Sequence, residues 1–258
     1  MSAALSNEEQ DRPAHVSAAE WHARRELAAC YRIFDHLGWT ELIFNHITLR
    51  IPGAEDQFLI NPFGLTYREV RASNLVKIDL EGRVVGDAEH PVNRAGFVIH
   101  SAFHEAVPDA KCVMHVHTTA GMAVACSREG LVDCNFYSAQ LHDHLAYHDF
   151  EGISLRPDEK QRFIADLGDC HAMILRNHGL LTIGVDVAQA LAFMWTLQRA
   201  CEVQIAARAL GEVIRVPPSI SRQARSEAFQ FDPSVGAARM MFDALVRAVD
   251  ATDPSFWT

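Results

Sequence analysis

The sequence predicts an α/β fold in which a mixed, largely antiparallel sheet is covered by helices on both faces. Three observations predict it. Short apolar runs recur along the chain, several are joined by turns too short for a parallel crossover, and long stretches of helical period lie between them. Apolar residues make up 49% of the 258 and charged residues 22%, a globular balance that argues against disorder, coiled coil and collagen-like repeats.

In chain order, residues 1–15 read as a flexible arm and residues 16–258 as a single domain, because no repeat or low-complexity linker divides them. Ser17 followed by Glu20 has the spacing of a capping box. Trp21, Leu27, Cys30, Tyr31, Phe34 and Leu37 then recur at helical spacing, and Gly38 ends the helix. The segment 42–51 alternates as a strand in its later half and stops at Pro52-Gly53; a second short strand, 58–60, closes at Asn61-Pro62-Phe63-Gly64. A short helix is expected over 67–70. Glu81-Gly82 reads as a hairpin turn between 75–80 and 83–85. Residues 94–106 have helical spacing, and Pro108-Asp109 ends them.

Residues 112–118 form the next strand, followed by a helix of small residues over 119–127. The stretch 131–148 concentrates Tyr137, Gln140, His142, Asp143, His144, Tyr147 and His148, too many polar groups for plain core. A helix is expected over 157–167, with Pro157 in its first turn. Two apolar strands, 172–175 and 180–183, flank Arg176-Asn177-His178-Gly179. A long helix over 187–210, ended by Gly211, and a last one over 234–249 complete the chain.

Composition excludes several functions. The formal charge is −10, without a lysine or arginine run, so neither nucleic acid nor an anionic membrane is an expected partner. The six cysteines are scattered with no C-x-x-C pair, which suggests reduced thiols in a cytoplasmic protein. The first fifteen residues lack a signal peptide's basic start and apolar stretch, and no apolar run is long enough to span a bilayer.

The chemistry concentrates in histidine. Residues two apart on a strand share a face, so His115 and His117 project together, with Cα atoms roughly 6.5–7 Å apart. Such a pair is a start for a metal site, which needs a third or fourth ligand. His178 sits in a turn between two apolar strands, where a structural histidine has little to do, and Gly179 lets the backbone come close to something. If either strand lies beside 112–118, His178 joins the pair and leaves room for an exogenous ligand. The structural alternative, histidines in packing or surface roles, is the commoner fate of any one of the fourteen.

The set H-x-H-T at 115–118 and R-N-H-G-L at 176–180 resembles the class II aldolase and adducin family. Matching pieces are Phe44-Asn45-His46-Ile47-Thr48-Leu49-Arg50, Leu59-Ile60-Asn61-Pro62-Phe63-Gly64-Leu65, the segment from His100 to His117, Ala146-Tyr147-His148-Asp149 and Leu175-Arg176-Asn177-His178-Gly179. The resemblance covers nearly the whole chain. It implies a three-layer α/β/α sandwich, a homotetramer with active sites between subunits, and a divalent metal held by His115, His117 and His178. Zinc is the first expectation, with manganese or iron as others.

The departures from the family matter as much. The aldolases' acid/base glutamate stands nineteen residues before the first metal histidine, and that position is Gly96. The serine pair of their phosphate pocket falls on Arg94 and Ala95, and a threonine near Phe63, so a phosphosugar substrate is not expected. Arg94 reads either as a clamp for a substrate carboxylate or as a surface arginine at a helix start. Asn45 reads as a pocket amide or as a turn former. Tyr137, His142, His144 and Tyr147 are candidates for the missing acid/base role, since imidazole titrates near neutrality and phenol can donate to an enolate. The family's catalytic tyrosine, donated across the subunit interface, falls near Phe136 or Tyr137.

These observations imply a metal-dependent lyase of a small molecule, breaking a C–C bond next to a carbonyl or carboxylate, as a decarboxylase or an atypical aldolase. Decarboxylation fits the absent glutamate best, because loss of carbon dioxide makes the carbanion without a base. Two alternatives remain: a non-heme iron oxygenase on the same three histidines, and an adducin-like binding domain without catalysis.

Overall fold

The computed structural model describes residues 11–153 and 158–258, with the side chains of Arg94 and Ala95 left out. Its centre is a seven-stranded sheet: β1 (His46–Ile51), β2 (Ala54–Ile60), β3 (Val76–Asp79), β4 (Cys112–Val116), β5 (Leu145–His148), β6 (Ala172–Leu175) and β7 (Gly179–Gly184). The order across the sheet is β3-β2-β1-β4-β7-β6-β5. Every neighbouring pair is antiparallel except β5 with β6, so the sheet is mixed and largely antiparallel, as the short connections require.

The strands' two-residue period sorts their side chains between two helical layers. On one face Ile47, Leu49 and Ile51 of β1 and Cys112, Met114 and Val116 of β4 meet α1 (Ala18–Leu37), α6 (Val187–Ala209) and α8 (Ala237–Asp250). On the other, Val113, Met173, Leu181 and Ile183 meet α2 (Arg94–Ala106) and α5 (Glu159–Leu167) through Ile99, Phe103, Phe163 and Leu167. The odd man on this second face is polar. His46, Thr48 and Arg50 alternate with the core residues of β1 and are buried toward α2.

Local chemistry sets the helix ends. The Ser17 hydroxyl accepts the Glu20 N–H at 3.1 Å, and Gly38 takes the left-handed conformation (φ 70°) that closes α1. The reciprocal half of the expected capping box gives way to a better partner: the Glu20 carboxylate accepts from Arg24 at 2.9 Å and Lys77 at 3.0 Å, charge-assisted bonds that outweigh a neutral N–H. The remaining α-helices among the described residues are α3 (Thr119–Ala125), α4 (Phe136–Gln140) and α7 (Pro218–Ser226), and the short helix expected over 67–70 is a 3-10 turn, Tyr67–Glu69. The expected hairpin at Glu81-Gly82 survives only as one bridge between Ile78 and Val84. Of the expected arm, residues 1–10 lie outside the described residues, while the Arg12 guanidinium binds the Val16 carbonyl. Pro157 also lies outside them. Among the described residues no helix is long and apolar enough to cross a membrane.

Candidate metal centre

His115 lies on β4, and His117 follows directly after it. Their partner is delivered by the β6–β7 hairpin. Because β7 pairs with β4 in the register Val116↔Leu180, the turn that precedes β7 carries His178 over the end of β4. Two unusual backbone positions allow it. Asn177 adopts φ 57°, a left-handed conformation that asparagine tolerates better than most residues. At Gly179 a side chain would run into the Val116 carbonyl and lie 3.2 Å from the His115 ring and 3.3 Å from the His117 ring. The object that approaches Gly179 is therefore the histidine strand itself.

The three rings pack with centroids 4.4 Å (His115–His117), 4.7 Å (His115–His178) and 5.0 Å (His117–His178) apart. One nitrogen from each lies within 4.8 Å of the others. His115 is fully buried and its Nδ1–H donates to the Leu180 carbonyl at 2.9 Å. That bond leaves the lone pair on Nε2, which faces His117 Nε2 at 2.8 Å, and fixing one imidazole nitrogen to orient the other is how proteins prepare a metal-binding histidine. Burial holds His178 down to about 4, helped by His117 and His148. Burial also lowers His117, against the pull of Glu41, and His115, where His117 and His178 add to it. Neutral, converging, borderline nitrogen donors fit zinc or iron rather than calcium or magnesium.

The cluster opens into a cleft of about 610 Å³ lined by Glu41, Phe44, His46, Phe63, Asn93, Gly96, Ile99, His115, His117, Met122, Phe150, Gly152, Ile153, Asn177 and His178. Phe44, Phe150 and Ile153 are exposed on its rim. Such a lining, apolar with a few convergent polar groups, is what small-molecule sites have.

The other sequence candidates lie elsewhere in the chain. None of Tyr137, His142 and His144 lines this cleft. Tyr137 sits on α4 with the Arg199 guanidinium over its ring at 5.9 Å. His142 Nδ1 pairs with Asp133 at 2.5 Å, and His144 packs edge-on to His171 and Phe193. Tyr147 bonds the Leu131 backbone, its hydroxyl accepting from N–H at 3.0 Å. Asn45 is buried, its amide donating to the Trp39 carbonyl at 3.1 Å, while its Oδ1 finds no partner among the described residues. Arg94 opens α2, but its side chain lies outside the described residues.

Two titratable lining residues carry no mark as site residues in the sequence. Glu41 is the one carboxylate among the described lining residues. The second is His46, and it explains Gly96. A Cβ added at Gly96 would lie 2.5 Å from His46 Nε2 and closer still to Cδ2. The glycine is therefore the space in which an imidazole from β1 rests.

The fold and the sequence both match known proteins. A family profile described as Class II Aldolase and Adducin N-terminal domain matches residues 25–205. The fold is similar to that of a crystal structure of an aldolase II superfamily protein from Pseudomonas syringae, with a TM-score of 0.89, 39% identity, and 95% of this chain and 98% of that one covered. It is also similar to an L-fuculose 1-phosphate aldolase from Glaciozyma antarctica, with a TM-score of 0.82, 27% identity, and 100% and 99% coverage. Alpha-adducin of Mus musculus is 46% identical over 185 residues, which are 70% of this chain and 25% of adducin. The chain is thus a member of the class II aldolase and adducin N-terminal domain family.

Proposed function

We propose that residues 16–258 act as one catalytic domain, a divalent-metal-dependent lyase that breaks a C–C bond next to a carbonyl or carboxylate of a small molecule. The observation that carries this reading is the convergence of three neutral imidazoles on the floor of a cleft of about 610 Å³. His115, His117 and His178 would hold the ion, zinc first and manganese or iron as the others. A divalent ion there supplies Lewis-acid stabilisation of negative charge on a substrate oxygen.

The chain's own groups do the rest. The Leu180 carbonyl holds the His115 ring in its orientation. Phe44, Phe63, Phe150 and Ile153 give the cleft an apolar wall against which a substrate's carbon skeleton can pack. Arg94 would pair a substrate carboxylate, and Asn45, whose amide N–H is held by the Trp39 carbonyl, would contribute its Oδ1. Tyr137, His142 and His144 would serve the cleft of a neighbouring subunit, in a homotetramer with active sites at the interfaces. The absence of the aldolases' phosphate-pocket residues supports a substrate other than a phosphosugar. Free cysteines support a cytoplasmic setting.

The similarity to alpha-adducin favours a second reading, a binding domain without catalysis. Protein loaded in turn with Zn(II), Mn(II) and Fe(II) separates them when offered keto-acids, hydroxy-acids and aromatic carboxylates. Release of carbon dioxide or aldehyde supports the lyase; oxygen uptake that needs Fe(II) supports an oxygenase instead. Metal-replete protein that does none of these leaves the binding domain.

A further inference from the structure

A line of hydrogen bonds runs from the cleft into the core between β1 and α2. His46 Nδ1 is 2.8 Å from His100 Nε2, His100 Nδ1 is 2.7 Å from Thr48 Oγ1, Thr48 Oγ1 is 2.7 Å from His104 Nε2, and His104 Nδ1 is 2.8 Å from the Ala110 carbonyl oxygen. All four side chains are buried. The spacing of His100 and His104, one turn apart on α2, puts both rings against the polar face of β1.

The far end sets the direction of every bond. A carbonyl only accepts, so His104 Nδ1 carries the hydrogen. Burial keeps His104 neutral, lowered to about 3, and keeps His100 neutral as well. His104 Nε2 is then a lone pair and must accept the Thr48 hydroxyl hydrogen. Thr48 has only that one to give, so its oxygen accepts from His100 Nδ1–H. His100 Nε2 is in turn a lone pair, and His46 Nδ1–H donates to it. A neutral His46 is left with Nε2 bare. That nitrogen belongs to the ring edge that lies over Gly96, and both residues line the cleft beside His115. Among the described residues nothing donates to it.

We propose that His46 is a substrate-binding residue whose Nε2 is fixed as a hydrogen-bond acceptor, so that the cleft selects small molecules bearing a hydroxyl next to the carbonyl or carboxylate group. A carbonyl or carboxylate oxygen at that point would set lone pair against lone pair; a hydroxyl hydrogen satisfies the nitrogen. The proposal rests on the metal-lyase reading for the place of the rest of the substrate and narrows its substrate class to hydroxy-acids and hydroxy-carbonyls. The ordering of the four side chains stands without it.

The test uses glycolate and acetate, which differ by one hydroxyl, on the 15N-labelled full chain. Long-range proton–nitrogen correlation spectra should show His46 protonated at Nδ1 and bare at Nε2, and glycolate but not acetate should shift the Nε2 resonance. In zinc-loaded protein the preference for glycolate over acetate should fall about tenfold in His46→Leu, the scale of one lost hydrogen bond. Thr48→Val keeps His46 but removes the hydroxyl that orders the line. It should let His46 populate both tautomers and weaken the same preference. His46 protonated at Nε2, equal shifts with both ligands, or an undiminished preference in a folded His46→Leu that still holds zinc would each overturn the proposal. The tautomer and the glycolate shift are read in metal-free protein as well. A wild-type chain that binds no zinc therefore refutes the metal reading alone.

Discussion

Gly96→Ala puts one methyl group where the structure has an imidazole edge. The new Cβ would stand 2.5 Å from His46 Nε2 and closer to Cδ2, well inside van der Waals contact. Relief is blocked on both sides. Gly96 is in the first turn of α2, and the His46 ring is pinned by its 2.8 Å bond to His100. Overpacking of this kind costs about 1–3 kcal/mol, and loss of the His46–His100 bond adds about 1 kcal/mol. The sum, about 2–4 kcal/mol, lowers Tm by roughly 5–15 °C in a chain of this size. Thermal unfolding followed by circular dichroism reads it, and the histidine correlation spectrum shows whether His46 has left its place. An alanine variant with unchanged Tm and an unchanged His46 spectrum would refute the claim that Gly96 exists to seat His46.

Acid should destabilise the protein through the same buried residues. Unfolded, His104 takes up its proton near its ordinary 6.5; folded, it does so only near about 3. Between those values the unfolded chain binds more protons, so stability is full above 6.5 and falls as pH drops, by about 1 kcal/mol per pH unit for His104. Urea midpoints at pH 7 and pH 5 check the sign, and His104→Phe should flatten the slope. Tyr147→Phe should leave the Leu131 N–H unpaired and cost about 1–2 kcal/mol in a denaturant titration, with zinc content untouched; lost zinc would put Tyr147 in the site after all. Tyr31→Phe should cost about 2–3 kcal/mol, because its buried hydroxyl meets the N–H groups of Ile47 at 2.9 Å and Asn61 at 3.2 Å as well as Asn61 Oδ1 at 3.0 Å.

What could be read from the sequence follows from where the physical signal is local. The H-x-H strand announces itself because period two is a backbone property, and His178 stands out as a polar residue in a turn between apolar strands. The helices α1 and α6 carry long apolar stripes and caps. Strand β5 does not stand out among the polar residues of 131–148, since four residues with His148 at one end give no clear alternation. Helix α7 leaves no such mark, because only Ser221 of its nine residues is buried and no apolar stripe exists to find. His46 carried no local sign at all. Its meaning lies in partners 54 residues away and in a glycine whose reason is another residue's ring. Asn45 is the local case: the asparagine that reads as a turn former donates its amide N–H to the Trp39 carbonyl, six residues away.

The central claim is that His115, His117 and His178 hold a divalent ion. Full-chain protein purified without chelator and analysed by plasma mass spectrometry should carry about one zinc, manganese or iron per chain. His115→Ala, His117→Ala and His178→Ala should each lose it while remaining folded by circular dichroism, because three nitrogen donors are the least a stable site of this type uses. A wild-type protein that stays metal-free after incubation with each ion, or three variants that bind as well as the wild type, would contradict the account.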